Sequence, residues 1–209
     1  MKRFFYLFIA MAFMVGNVKA QNDPNAKKIL DGISAKLKTF KGISADFALT
    51  SKGKNGKLNN NIKGKISIKG NKYYIKQSST EIFSDGLKTW NYNGNDEVTV
   101  TTVDTDAQTL TPQKLLTNFY DKDFSYKLVS SAGEFNEIQM VPNDKRKNFQ
   151  RVNVFASKAK TMITKAKVLD KSNNTIQFNL SNINTNAVIP DSRFVFDKSK
   201  YKKQIEVIE

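Results

Sequence analysis

The sequence predicts an α+β fold that is mainly β. About eleven antiparallel strands form a strongly curved, incompletely closed barrel, and two or three helices lie as a lid over an apolar cavity. Three observations point there. Apolar and polar residues alternate with a period of two from Ile62 to Val103 and again from Phe124 to Leu180. Turn signals, including Gly70-Asn71, Asp85-Gly86 and Asn93-Gly94, separate the alternating runs. Helical periodicity is confined to two amphipathic segments, too few to be the framework of the fold.

Residues 1–20 have the form of an export signal: Lys2-Arg3, an apolar run from Phe4 to Val15, and Val18-Lys19-Ala20 before the expected cut. The run is shorter than the roughly 20 residues that span a bilayer. No cysteine follows it to receive a lipid. The expected product is a single soluble, unlipidated periplasmic domain, residues 21–209.

Asp23 as N-cap and Pro24 in the first turn open the first helix. Its apolar stripe is Ala26, Ile29, Leu30, Ile33, Leu37 and Phe40, and Lys41-Gly42 closes it. Ala45, Phe47 and Leu49 alternate as the first strand, and Ser51 to Asn61 reads as a hairpin loop. Ile62, Gly64, Ile66 and Ile68, then Tyr73 and Ile75, then Phe83, Trp90, Tyr92, Val98 and Val100 continue the apolar lining over about five strands. Asp85-Gly86 is read as turn chemistry rather than a binding element. Thr111-Pro112 starts a second helix, whose apolar face of Leu115, Leu116, Phe119 and Tyr120 is too short to be stable undocked. The runs Phe124–Leu128, Ile138–Met140, Phe149–Phe155, Met162–Leu169 and Ile176–Leu180 complete the strands.

Composition removes whole classes of chemistry. With no histidine and no cysteine, His-based triads, His zinc sites, thiol nucleophiles and disulfides are excluded. Carboxylate pairs, Ser-Lys dyads and Tyr acids survive, but no spacing singles one out. The sequence is therefore read as that of a binding protein with no cofactor and no metal, not of an enzyme. The formal charge of +15 falls to +12 when Lys2, Arg3 and Lys19 leave with the signal. The lysines sit at the polar parity of most strands, as on a solvated face, so nucleic acid is not expected. Transient contact with an anionic lipid surface or an acidic partner stays open.

A sheet this long closes, splits into two layers, or needs a plug. Two helices are too few to fill a barrel lined by Phe47, Tyr73, Ile75, Phe83, Trp90 and Tyr92, which favours an apolar cavity under a lid. A tightly packed core without a cavity is the competing reading.

The order of helix, Phe47 strand, Lys69-Gly70-Asn71-Lys72-Tyr73-Tyr74-Ile75 and Ser84-Asp85-Gly86-Leu87-Lys88-Thr89-Trp90-Asn91-Tyr92 resembles the periplasmic outer-membrane lipoprotein carrier (LolA-like) family over most of residues 23–200. The Ser84–Tyr92 stretch is the most specific part. Where that family has Arg-Pro this chain has Lys69-Gly70, and where it often has Trp this chain has Ile75. The family arginine is taken to hold lid backbone, a role a lysine fills less firmly. An exposed strand lysine is the other reading of Lys69.

The resemblance implies a monomeric carrier. It would take a triacylated lipoprotein from an inner-membrane ABC transporter, shield the acyl chains and pass them to an outer-membrane acceptor. The implied acyl wall is Ala45, Phe47, Leu49, Ile66, Ile68, Tyr73, Ile75, Phe83, Trp90, Tyr92, Val98 and Val100. The implied lid is Ile33, Leu37, Leu115, Leu116 and Phe119, with Lys69 at its edge. The alternatives are a module of the same fold for another hydrophobic ligand, such as a fatty acid or pigment precursor, or an envelope-stress sensor, and an enzyme acting on a lipid-like substrate, which the missing His and Cys disfavour.

Overall fold

The computed structural model describes residues 22–103, 120, 123–201 and 204–209. The expected signal, and the expected second helix with Leu115, Leu116 and Phe119, lie outside them. Helix α1 (Pro24–Leu37) begins as the sequence dictates: the Asp23 carboxylate accepts from the backbone N–H of Asn25 at 2.8 Å and of Ala26 at 3.3 Å. Ala26, Leu30 and Ile33 are buried along its stripe.

The strands are β1 (Ile43–Lys52), β2 (Leu58–Lys69), β3 (Lys72–Gln77), β4 (Thr80–Ser84), β5 (Lys88–Tyr92), β6 (Glu97–Thr102), β7 (Phe124–Ser130), β8 (Phe135–Pro142), β9 (Phe149–Ser157), β10 (Met162–Asp170), β11 (Thr175–Asn184) and β12 (Glu206–Ile208). They form one 12-stranded sheet in the order β12-β6-β5-β4-β3-β2-β1-β11-β10-β9-β8-β7. Its end strands do not pair with each other, so the barrel is not closed. Three expectations change. The expected eleven strands are joined by a twelfth, the three-residue β12, which pairs parallel to β6 and is too short to show as an alternating run. Among the described residues there is one α-helix, with two short 3-10 turns at Asp191–Phe194 and Lys198–Lys200. The expected Ser51–Asn61 loop shrinks to residues 53–57, because β1 and β2 stay paired as far out as Lys52 and Leu58.

The sheet bends around α1. One buried cluster joins Leu30 and Ile33 to Ile66 and Ile75 on one side and to Tyr126 and Ile138 on the other. Flat, the eight strands from β3 to β7 would span about 34 Å, far more than a helix about 10–12 Å wide can touch. The face that carries α1 is the inner face; the other is the outer face.

Candidate ligand-binding cleft

Cross-strand pairing decides which predicted wall residues stand together, because paired residues share a face. Phe47 pairs with Gly64 and Leu49 with Ile62. Ile66 pairs with Ile75, and Ile68 with Tyr73. Phe47, Leu49, Ile66, Ile68, Tyr73 and Ile75, with Ala45, therefore lie on the inner face. Tyr74 pairs with Phe83, Phe83 with Trp90, Trp90 with Val100, and Tyr92 with Val98. Phe83, Trp90, Tyr92, Val98 and Val100 therefore lie on the outer face, and one cavity wall cannot hold both groups. The parity changes where Tyr73 and Tyr74 put a ring on each side of β3.

The outer-face aromatics are covered by the chain's own C-terminal segment. Fully buried Phe194 packs among Tyr74 and Phe83, and Ile205 among Tyr92 and Val98. Phe196 meets the rings of Phe83 and Tyr201 at centroid distances of 5.8 and 5.0 Å. The closely spaced Phe194, Phe196 and Tyr201 were the sequence signal for this cover.

Glu81 is buried beneath the same segment. It accepts from the Tyr74 hydroxyl at 2.5 Å and the Lys76 ammonium at 2.8 Å, and its other oxygen accepts from the Tyr201 hydroxyl at 2.5 Å. Burial pushes the Glu81 carboxyl up, but these three donors outweigh it and hold it below its ordinary range. Burial, then Glu81, pushes the Tyr74 and Tyr201 phenols above theirs. A polar pocket of about 430 Å³ opens beside this cluster, with Arg193 stacked 4.1 Å over the Tyr74 ring. All three Glu81 partners are satisfied, so the cluster fastens the segment and leaves no free base.

The inner face holds an apolar cleft. It has a volume of about 160 Å³ and lies between the end of α1 and the turn joining β2 to β3. Ile43 and Ile68 floor it, Leu37 and Phe40 wall it, and Lys38 and Lys69 stand at its rim. Gly42 is required here: a Cβ would sit 2.7 Å from the Ala187 carbonyl oxygen, where the chain after β11 crosses. Gly70 turns the β2–β3 hairpin at φ +57°.

Of the predicted lid residues, Ile33 is core, Leu37 lines the cleft, and Leu115, Leu116 and Phe119 lie outside the described residues. Lys69 pairs with the C-terminal segment: its ammonium is 2.8 Å from the Asp191 carboxylate and 3.4 Å from the Ile189 carbonyl oxygen. Lys72 joins it on Asp191 at 3.1 Å, and the two lysines hold that carboxyl below its usual range. Asp85-Gly86 is turn chemistry, with the Asp85 carboxylate accepting from Leu87 N and Lys88 N at 2.8 Å each. Among the described residues no three metal-ligating side chains gather, and no helix is long and apolar enough to cross a membrane.

The family model described as "Outer membrane lipoprotein carrier protein LolA" matches residues 38–197. No curated protein sequence matches. Among solved structures, an uncharacterized conserved protein from Thermus thermophilus superimposes with a TM-score of 0.57 at 9% identity, covering 88% of this chain and 99% of that one. A LolA superfamily protein from Nitrosomonas europaea gives 0.47 at 12%, covering 82% and 97%. MucB gives 0.50 at 10%, covering 83% and 63%.

Proposed function

The chain belongs to the outer membrane lipoprotein carrier (LolA) family, and from that premise we propose that it is a periplasmic carrier of lipoprotein acyl chains, exported by residues 1–20 and acting without a cofactor. An inner-membrane transporter would load it and an outer-membrane acceptor would unload it; its work is binding rather than catalysis. The observation that carries this reading is the apolar cleft of Leu37, Phe40, Ile43 and Ile68 at the end of α1.

A chain of about ten methylenes gains on the order of 8 kcal/mol on leaving water, at about 0.8 kcal/mol each. At about 160 Å³ the cleft takes the end of one such chain; sites for whole drug-sized ligands run to about 300–1,000 Å³. More room requires α1 to lift from the inner face. Re-exposing Leu30, Ile33 and Leu37 costs roughly 5–9 kcal/mol, at about 1.5–3 kcal/mol per side chain. Acyl chains taking the helix's place return an energy of the same size, so loading stays reversible, as transfer demands.

A second reading is favoured by the cleft as it stands. Its volume suits a short hydrocarbon tail, and Lys38 at its rim suits a carboxylate head. That ligand is a free fatty acid, bound without movement of α1.

Native mass spectrometry of the protein from cells that make lipoproteins separates the two: a triacylated partner supports the first, a free lipid the second. Binding of a fluorescent acyl probe tests the site itself. Leu37→Glu puts a charge on the cleft wall and is expected to weaken uptake at least about tenfold, since burying an unpaired charge costs more than 1.4 kcal/mol. Unchanged uptake in the folded variant removes the cleft from the function.

A further inference from the structure

The outer face divides into two parts. The C-terminal segment covers it over β3–β6. Across β1, β7–β11 and β2 up to its last residue Lys69, which meets Asp191 and Ile189, the described residues lay no covering segment on it, because α1 lies on the inner side.

On this uncovered part the register lines up cations in rows across the strands. One row runs Lys63, Ala48, Asn179, Lys165. The next runs from Gln177 through Lys167, Asn153 and Gln139 to Lys127. A third joins Lys52, Thr175, Leu169 and Arg151. The field crosses seven strands, about 29 Å at the usual spacing.

A merely solvated face interleaves charges of both signs. Here the acids are Asp46 and Glu137, and both are occupied: Asp46 by Lys65 at 3.1 Å and Asn182 at 2.7 Å, Glu137 by Asn153 at 2.7 Å. Lys52, Lys63, Lys127, Arg151, Lys165 and Lys167 have no ion pair with any described acid.

We propose that this outer face docks on the surface of an anionic phospholipid bilayer. Protein partners are held by a few desolvated aromatic or arginine anchors seated in pockets. These rows offer Asn, Gln and Thr between flexible lysines, and the two rings beside them, Phe155 and Phe135, pack edge to face on each other at 6.5 Å, with the Lys165 ammonium 4.5 Å over Phe155. A fluid layer of phosphates needs no fixed register and conforms to a bent sheet. At the β1–β2 hairpin tip, Lys54 and Lys57 precede Leu58, which is 53% exposed and free to enter the headgroup layer. Docking by the outer face leaves the inner-face cleft open, so this contact is independent of what the cleft binds.

Sedimentation of the purified protein with vesicles tests it. Phosphatidylcholine vesicles containing about one-third phosphatidylglycerol are expected to bind at low salt and release at high salt, and phosphatidylcholine alone not to bind. Lys63→Gln, Arg151→Gln, Lys165→Gln and Lys167→Gln combined are expected to weaken binding by at least about tenfold. Lys28→Gln, Lys41→Gln, Lys88→Gln and Lys145→Gln, an equal loss of charge elsewhere, stay within about twofold of the parent. In a chain without cysteine, Leu58→Cys carries one environment-sensitive dye, whose emission is expected to shift to the blue on anionic vesicles. The proposal is overturned by absence of binding, by equal losses in the two quadruple variants, by an unshifted dye, or by binding to polyglutamate with none to vesicles. The last result would assign the face to an acidic protein.

Discussion

Glu81→Ala should loosen the C-terminal segment from the outer face by an amount the geometry sets. The wild-type carboxylate receives the Tyr74 and Tyr201 hydroxyls and the Lys76 ammonium. Without it, the Lys76 side chain, half exposed, returns to water, and that ion pair is worth at most about 1 kcal/mol. Tyr74 is 3% exposed, so its hydroxyl loses its buried partner at about 1–3 kcal/mol. Half-buried Tyr201 loses less. Together the loss is about 3 kcal/mol, or roughly 6–12 °C in Tm for a domain of this size. Glu81→Gln keeps one oxygen acceptor and should lose about half as much. Urea unfolding gives the magnitude, and limited trypsin digestion at Arg193, Lys198 and Lys200 reports the segment itself. A Glu81→Ala protein within about 0.5 kcal/mol of the parent, with no faster cleavage there, refutes the clasp.

Gly64→Ala is expected to cost several kcal/mol, about 2–4, because the new methyl would lie 2.2 Å from the Lys76 carbonyl oxygen and 2.7 Å from the Phe47 ring; thermal melts at the parent Tm contradict it. Asp23 is held below its ordinary value chiefly by the Leu128 N–H, then by the Asn25 N–H. Its contribution is therefore complete above the unfolded carboxyl value of about 3.9 and lost as pH falls through the lower folded value. Asp23→Asn should flatten the acid limb of a Tm-against-pH curve, and an unaltered limb counts against that role. Trp90→Glu should speed trypsin cleavage of the C-terminal segment while leaving acyl-probe uptake within about twofold, since Trp90 and the cleft are on opposite faces. Loss of uptake in the folded variant would return Trp90 to the binding site.

Most of the strand framework was legible because alternation and turn residues are local properties. Ile66 and Ile68 are fixed to one face by the pleat, and Asp85-Gly86 makes the reversal its chemistry calls for. Assigning faces across strands was harder. In Lys72-Tyr73-Tyr74-Ile75-Lys76 both parities are apolar, so the run does not say which ring faces the helix. Only the register, with Ile68 opposite Tyr73 and Phe83 opposite Tyr74, assigns them. The covering segment was hidden for a related reason. Phe194, Phe196 and Tyr201 lie in 3-10 turns and extended chain with no repeating period, and they act on strands more than 100 positions away in sequence. Lys69 illustrates the same limit: its partner Asp191 is 122 residues distant.

The division of faces also limits where hydrocarbon can enter. On the inner side of β4–β6 the pairing brings Thr89 opposite Thr101 and Asn91 opposite Thr99, so that half of the face is polar. Among the described residues the apolar inner surface runs over β1–β3 and β7–β11 and ends on β4 at Ile82, and Ala26, Leu30 and Ile33 occupy most of it. An incoming chain must start where the helix stops, at Leu37 and Phe40 beside the β2–β3 turn, which is where the cleft lies. Its entry widens only by displacing α1, and the groups that oppose this at the helix start are polar: the Asp23 carboxylate on Leu128 N–H, and Asp23 N–H on the Tyr126 carbonyl. Those bonds pin the first turn and the Tyr120 hydroxyl on the Asp31 carboxylate at 3.0 Å holds the middle, while among the described residues the last turn is held by apolar contact, so α1 should swing about its N-terminus, opening first at the end where the cleft already exists.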